Sequence, residues 1–283
     1  MKGNSMGIKI TLAGDQGSGK STVAKLLIEK LDATYYSTGA YARAYATRMN
    51  MDINTFGDYT RAHPEIDYEI DATLAPLSDD TENNLVIDSR MAWHFVRGSF
   101  TVFLFADRVE SARRIFTAGR STEHFPTLED AIAAVKDRRE NEIARYSGLY
   151  GVDIYDPCHY ALMVDTTHAT PEQVAECIVE AQKVWQQNHD VQLRYVCPAT
   201  LLYPDDEASG ERMAELALAV ERGEPLPPVE VYQKEGNYYV VGGVETALVG
   251  AMFNMTHVPF VFVDTMPDDP TISYIKMENL LSC

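Results

Sequence analysis

Apolar positions along this chain fall into two kinds of run. Short continuous runs at 8–13, 33–37, 84–88, 100–105 and 161–165 predict strands. The run at 100–105 (FTVFLF) is of the type buried on both faces of a parallel sheet. Between them the spacing changes to threes and fours. Val23, Leu26, Leu27 and Ile28 predict a helix over 22–31, and Tyr41 and Tyr45 fall on a second one. Pro64, Glu65 and Asp67 read as the start of an acidic helix. Thr127 caps another, over 127–146, and Thr170-Pro171-Glu172-Gln173 is a capping box with proline at the first helical position. The helix after it carries Val174, Ile178, Ala181 and Trp185 at helical spacing, so it packs on the sheet. Strands alternating with helices predict an α/β fold, a parallel sheet flanked by helices.

From position 191 the alternation restarts. The pattern reads as an extended segment at 193–197, a turn at 203–206, a helix over 209–222 and a proline-rich turn at 224–228. Strands at 229–233 and 238–241 follow, hinged at 235–237, then a helix over 244–253 and a strand at 259–263. This predicts two domains, 1–189 and 190–283, the second a smaller α+β unit.

One segment adds chemistry to the pattern. Gly14-Asp15-Gln16-Gly17-Ser18-Gly19-Lys20-Ser21, with Thr22 opening the helix, fits G-x-x-x-x-G-K-[ST] between a predicted strand and a predicted helix. Such a loop turns its backbone N–H groups toward phosphate oxygens, with the positive end of the helix dipole behind them. Lys20 is placed to reach the β- and γ-phosphates of ATP, and the Ser21 hydroxyl to take Mg²⁺. The first domain is therefore expected to be a P-loop NTPase sheet, with ATP and Mg²⁺ as cofactors.

Composition narrows the partners. Of 283 residues, 46% are hydrophobic and 23% charged, ordinary for a globular protein, but the formal charge is −18. That field disfavours nucleic acid and anionic membranes. Twelve of the fifteen arginines nevertheless lie in the first 150 residues, a concentration suited to small anionic substrates. Cys158, Cys177, Cys197 and Cys283 show no C-x-x-C spacing, so neither zinc nor a redox pair is indicated. No secretory h-region and no membrane-length apolar run is present, so the expected location is cytoplasmic.

Asp88 and Arg90 end a predicted strand, where open α/β sheets bind their ligands. Asp88 can orient Mg²⁺ there, or simply cap the following turn. Arg138, Glu142 and Arg145 are spaced to share one helical face, either a salt-bridged exposed stripe or the lid of a phosphoryl-transfer enzyme. Asp67 and Asp71 are equally open, as ligand contacts or as a solvated face.

The motif order resembles the cytidylate kinases, especially their archaeal form. The resemblance is carried by Tyr36-Ser37-Thr38-Gly39 with Arg43, by His63-Pro64-Glu65-Ile66-Asp67, by Arg90, and by residues 139–146 followed by Tyr150-Gly151-Val152-Asp153-Ile154, and it covers residues 7–188. It implies transfer of the ATP γ-phosphoryl to a nucleoside monophosphate, CMP or dCMP foremost. It further implies that Lys20, Arg138 and Arg145 stabilise the transferring group and that Arg43 and Arg90 clamp the acceptor phosphate. Ser37, Gly39 and Asp67 would touch the acceptor. Ala40 stands where these enzymes often carry aspartate, which leaves the acceptor open. Two other readings stay open beside it: a kinase of another small metabolite, and a nucleotide-sensing regulator.

Residues 191–265 resemble, more weakly, a ParB/sulfiredoxin-like domain, through the proline-rich turn and the glycine turn before the last helix. That turn reads Gly242-Gly243-Val244-Glu245-Thr246, with Val244, Glu245 and Thr246 where that family carries cysteine, histidine and arginine. Without thiol or cation, and with five basic against fourteen acidic residues from 191 onward, this half is expected to be an accessory domain for a protein partner or self-association.

Overall fold

The computed structural model describes residues 7–51, 53–118, 125–205, 208–234, 236–266 and 273–277. In chain order the elements are β1 (Lys9–Gly14), α1 (Lys20–Leu31), β2 (Thr34–Ser37), α2 (Thr38–Arg48), α3 (Ile53–Ala62), α4 (Pro64–Ala72) and β3 (Leu85–Asp88). Then come α5 (Ala92–Phe95), β4 (Phe100–Phe105), α6 (Arg108–Ala118), α7 (Leu128–Tyr150), β5 (Leu162–Asp165) and α8 (Pro171–Gln187). The remainder is β6 (Leu193–Val196), β7 (Leu202–Pro204), α9 (Gly210–Glu221), β8 (Val229–Lys234), β9 (Asn237–Gly242), α10 (Val244–Met252), β10 (Val258–Phe262) and β11 (Tyr274–Lys276).

The predicted parallel sheet is present. β5, β4, β1, β3 and β2 lie side by side in that order, every pair parallel, and β1 sits between β4 and β3. Side chains alternate across it with the strand period of two. Leu12, Val102, Leu104 and Val164 face one side, where Val23 and Leu27 of α1 and Val174 and Ile178 of α8 cover them. Ala13, Phe103, Phe105 and Met163 face the other. The predicted N-cap at Thr127 forms and Asp130 completes it as a capping box, and the predicted capping box of Thr170 with Gln173 forms as well. Trp185 packs on Phe100, ring centroids 5.4 Å apart, in the core role its spacing implies.

The C-terminal strands continue this sheet. β6 lies parallel to β5; β10 pairs antiparallel with β6; β8, β9, β7 and β11 follow outward, giving eleven strands in one order. The boundary expected at residue 190 falls between α8 and β6. The apolar side of the new strands joins the second face of the older ones. Phe260 and Tyr238 lie beside Phe105 at centroid distances of 6.3 and 5.3 Å, in one cluster with Val231, Val240 and Val258.

Three expectations need correction. The turn read at 203–206 is strand β7 as far as Pro204, held between β9 and β11, while Asp206 lies outside the described residues. Fully buried Tyr203, donating its hydroxyl to the Pro198 carbonyl at 2.7 Å, outweighs the local turn preference of Pro-Asp. Helix α3 had no counterpart in the pattern. Helix α7 runs four residues past the predicted end, to Tyr150, and is closed by left-handed Gly151 with φ of 69°. Cys158, Cys177 and Cys197 are free thiols, and Cys283 lies outside the described residues.

Because the core is shared, Phe260→Ala is expected to cost about 3–5 kcal/mol and to lower a single unfolding transition of the whole chain. Calorimetry checks this: two separated transitions, with only one shifted, would contradict it.

Candidate active site

The loop after β1 is built on glycine. At Gly14 a Cβ would lie 2.2 Å from the Leu104 carbonyl oxygen, and at Gly17, with φ of 77°, 2.5 Å from that of Ser111. Only glycine permits both approaches. The Asp15 N–H donates to the Leu104 carbonyl at 2.8 Å and the Ser18 hydroxyl to the Asp15 carbonyl at 2.7 Å, which closes the loop. α1 then starts from left-handed Gly19 with no side-chain cap, leaving its N-terminus to whatever lies in front of it.

In front of it is a cavity of about 460 Å³, lined by the whole loop from Asp15 through Thr22 and by Arg90, Arg114 and Arg138. Ile115, Ala118, Ala169, Pro171 and Val174 add apolar lining. The size and the combination of cationic and apolar lining suit a nucleotide. Lys20 Nζ stands 3.8 Å from Asp88 Oδ1. Burial lowers the Lys20 pKa, nearby Arg90 adds to this, and Asp88 opposes it. Asp88 also accepts from the Tyr35 hydroxyl at 3.1 Å.

Arg90 follows β3 at the carboxyl edge of the sheet. One of its guanidinium nitrogens donates to Glu142 Oε1 at 3.1 Å; the other, Nη1, is buried without a hydrogen-bond partner among the described residues. Glu142 is further held by Gln16 Nε2 at 3.2 Å and by the Tyr155 hydroxyl at 2.9 Å. Burial resists its ionisation, but Arg90 and then Tyr155 bring its pKa below the usual value. Arg139 donates to Asp15 Oδ1 at 2.5 Å and lies 3.5 Å above the Tyr155 ring. Burial raises the Asp15 pKa, with Arg139 opposing.

The stripe on α7 thus does three separate things, since seven residues of helix span about 10 Å. Arg138 lines the cavity, Glu142 meets Arg90, and Arg145 pairs with Asp67, through Nε at 3.0 Å and through Nη2. Arg145 and Asp67 are therefore brought to each other and not to the lining of the phosphate cavity. Ser37 caps α2, accepting the Ala40 N–H at 3.3 Å, and register pairs Ser37 with Asp88 at the strand ends. The Arg43 guanidinium crosses the same turn, 3.6 Å from where a Cβ on Gly39 would sit, and is exposed. Farther along α7, Tyr150 donates to Asp71 at 2.8 Å, and burial pushes the Asp71 carboxyl up to about 6.

Sequence reasoning missed Arg114. It reaches the Gly17 carbonyl at 3.2 Å and the Thr166 and Thr167 carbonyls at 2.7 and 2.8 Å, tying the loop to the far side of the cavity. Its only local sign was Glu110 four residues earlier, which accepts from it at 2.8 Å. Among the described residues no cluster of three or more His, Cys, Asp or Glu is arranged to hold a metal, and no helix is long and apolar enough to cross a membrane.

A glycine-built phosphate loop at the carboxyl edge of a parallel sheet, facing a nucleotide-sized cavity, defines a P-loop nucleotide-binding fold. Within that class the chain belongs to the cytidylate kinase-like family, whose profile matches residues 9–168. It is 32% identical over 176 residues to a cytidylate kinase of Thermoplasma volcanium, covering 61% of this chain and 90% of that protein. It is 38% identical over 176 residues to an S-adenosylmethionine-dependent nucleotide dehydratase of Lacinutrix mariniflava. That match covers 62% of this chain, which spans only 36% of the longer relative. A shikimate kinase of Aquifex aeolicus superposes with a TM-score of 0.41 at 19% identity, over 64% of this chain and 99% of that one.

The raised Asp71 pKa has a measurable sign. The folded protein holds this proton more tightly than the unfolded chain, so the contribution to stability is full below about pH 4 and is lost as pH rises through about 6. Asp71→Asn is expected to gain on the wild type over that window by up to about 3 kcal/mol, measured by denaturant unfolding. A difference that stays flat with pH would contradict it.

Proposed function

We propose that this protein transfers the γ-phosphoryl group of ATP to a nucleoside monophosphate, with CMP and dCMP as the first acceptors. The observation that carries the reading is the convergence of Lys20 and half-buried Arg90 on one cavity headed by the phosphate loop. A donor phosphate chain on the loop would meet an acceptor phosphate at Arg90 from the other side. Family membership and the cytidylate kinases among the relatives support a nucleotide acceptor, and the longer relative is itself named for action on a nucleotide.

Transfer between phosphates asks little covalent chemistry of a protein, because the attacking oxygen is already anionic. It asks for alignment and for positive charge where charge accumulates. Lys20 would hold the β- and γ-phosphates, Arg138 would approach from α7, and Arg90 would hold the acceptor. Arg43, exposed at the start of α2, would close on the acceptor from the sheet edge, beside Ser37 and Gly39. The apolar lining suits one face of the donor base, with Arg114 at its border. Mg²⁺, which neutralises phosphate charge when bound, fits hard oxygen donors; Ser21 and Asp88 supply a hydroxyl and a carboxylate beside the loop, with phosphates and water completing such a shell. With α7 drawn over the site, water is kept from the γ-phosphate.

ADP release from Mg·ATP against CMP, dCMP, UMP, AMP and GMP, with Lys20→Ala as the blank, tests the reading. Turnover dependent on a monophosphate and absent in Lys20→Ala is expected. A flat panel from protein that still binds ATP would contradict it. Arg90→Ala is expected to raise the acceptor KM by roughly 30- to 1,000-fold while the ATP KM stays within about twofold. Equal weakening of both substrates would refute this division of roles.

A further inference from the structure

The activity proposed above leaves residues 191–283 without a task, yet they meet the nucleotide cavity through one buried side chain. Asp165, at the carboxyl end of β5, is fully buried. A carboxylate so placed is tolerable only when its lone pairs are filled. Here they are filled from two sides. Oδ1 accepts from the backbone N–H of Thr167 at 2.9 Å and its hydroxyl at 2.5 Å. Oδ2 accepts from the C-terminal segment, the Cys197 N–H at 3.1 Å and the Thr200 hydroxyl at 2.7 Å. The Asp165 carbonyl is met by His257 Nε2 at 2.6 Å, which fixes that ring nitrogen as the N–H donor.

What Oδ1 holds is a wall of the cavity. The carbonyls of Thr166 and Thr167 take Arg114 Nη2, and Arg114 Nη1 reaches Gly17 of the phosphate loop. Thr166 and Arg114 both line the cavity. Thr200 therefore connects to the phosphate loop through Asp165, Thr167 and Arg114, and among the described residues none of the C-terminal segment lines the nucleotide cavity itself. A void of about 40 Å³ is bounded by Asp15 and Arg139 on one side and by Gly236 and Tyr238 of the β8–β9 hairpin on the other.

We infer that the C-terminal segment is a positioning element of the nucleotide site, acting through Asp165, with Thr200 and His257 as its positioning residues. The segment holds the wall that Arg114 and Thr166 form, and so sets nucleotide affinity from outside the cavity. The inference rests on the kinase reading for its kinetic part only, because binding reports it without turnover.

The test uses the full chain and Mg·ATP. Thr200→Val keeps the shape and deletes one donor to Oδ2; Thr200→Ser restores it. Calorimetry is expected to show Mg·ATP binding about tenfold weaker in Thr200→Val, equivalent to ~1.4 kcal/mol, and within about twofold of wild type in Thr200→Ser. In turnover assays the ATP KM should rise in parallel, with the acceptor KM and kcat within about twofold. His257→Leu, which removes another C-terminal contact on Asp165, at its backbone carbonyl, is expected to give the same selective loss, and serves if Thr200→Val does not fold. Wild-type affinity in folded Thr200→Val, no restoration in Thr200→Ser, or equal loss for donor and acceptor would each overturn the inference. A wild type that binds Mg·ATP yet transfers to no acceptor would remove the kinase reading and leave the binding comparison decisive.

Discussion

A guanidinium and a carboxylate paired while mostly out of water, half-buried Arg90 and Glu142 at 3.1 Å, decide how the two layers of this site meet. Burying such a pair costs several kcal/mol per ion unless further hydrogen bonds complete both partners. The two partners differ in this. Glu142 collects Arg90, Gln16 and Tyr155, while Arg90 keeps Nη1 buried without a partner among the described residues. Arg90 lines the cavity beside the phosphate loop, and its unfilled donor is shielded from solvent behind that lining. Glu142 thus holds one arm of Arg90, and the acceptor phosphate proposed above would compete for that arm.

This matters because of how α7 is attached. Of its 23 residues Ala131 alone is buried, and only at its C-terminal end do Tyr146 and Tyr150 pack, half-buried, on the cluster of Leu74, Met91 and Ile154. Polar contacts hold much of its length: Arg139 on Asp15, Glu142 on Arg90, Arg145 on Asp67 and Tyr150 on Asp71. An element held this way lies at the low end of local stability and answers to charge brought into the site. Helices α1 and α8, with Val23, Leu27, Val174 and Ile178 fully in the core, are of the opposite kind and give the loop a fixed base. The C-terminal strands extend that base, since their apolar face joins Phe103 and Phe105 in one cluster.

Much of this was legible in the order of residues because its causes are local. Gly14 and Gly17 are required by backbone approaches within the loop, and the apolar runs at 84–88 and 100–105 are required by burial on both faces of the sheet. The face shared by Arg138, Glu142 and Arg145 followed from helical spacing. What each meets did not, since Asp67 and Arg145 are 78 positions apart and nothing local announces the pairing. The same applies to β7, which exists because Tyr203 is buried between strands from distant parts of the chain, and to Asp165, whose donors Cys197 and Thr200 lie beyond α8. A second core that closes over the first, rather than standing apart, is a long-range property that a restart of the strand and helix pattern does not reveal.

The Glu142 carboxylate stands where it would compete for Arg90 with the acceptor phosphate proposed above. The most direct measurement is the equilibrium affinity of the full chain for CMP, compared between wild type and Glu142→Gln, which keeps the hydrogen-bonding shape and removes the charge. Deleting the competing charge leaves the half-buried Arg90 cation to the ligand alone, so CMP should bind about tenfold or more tightly in Glu142→Gln. CMP affinity that is unchanged or weaker in a folded Glu142→Gln protein would contradict the account.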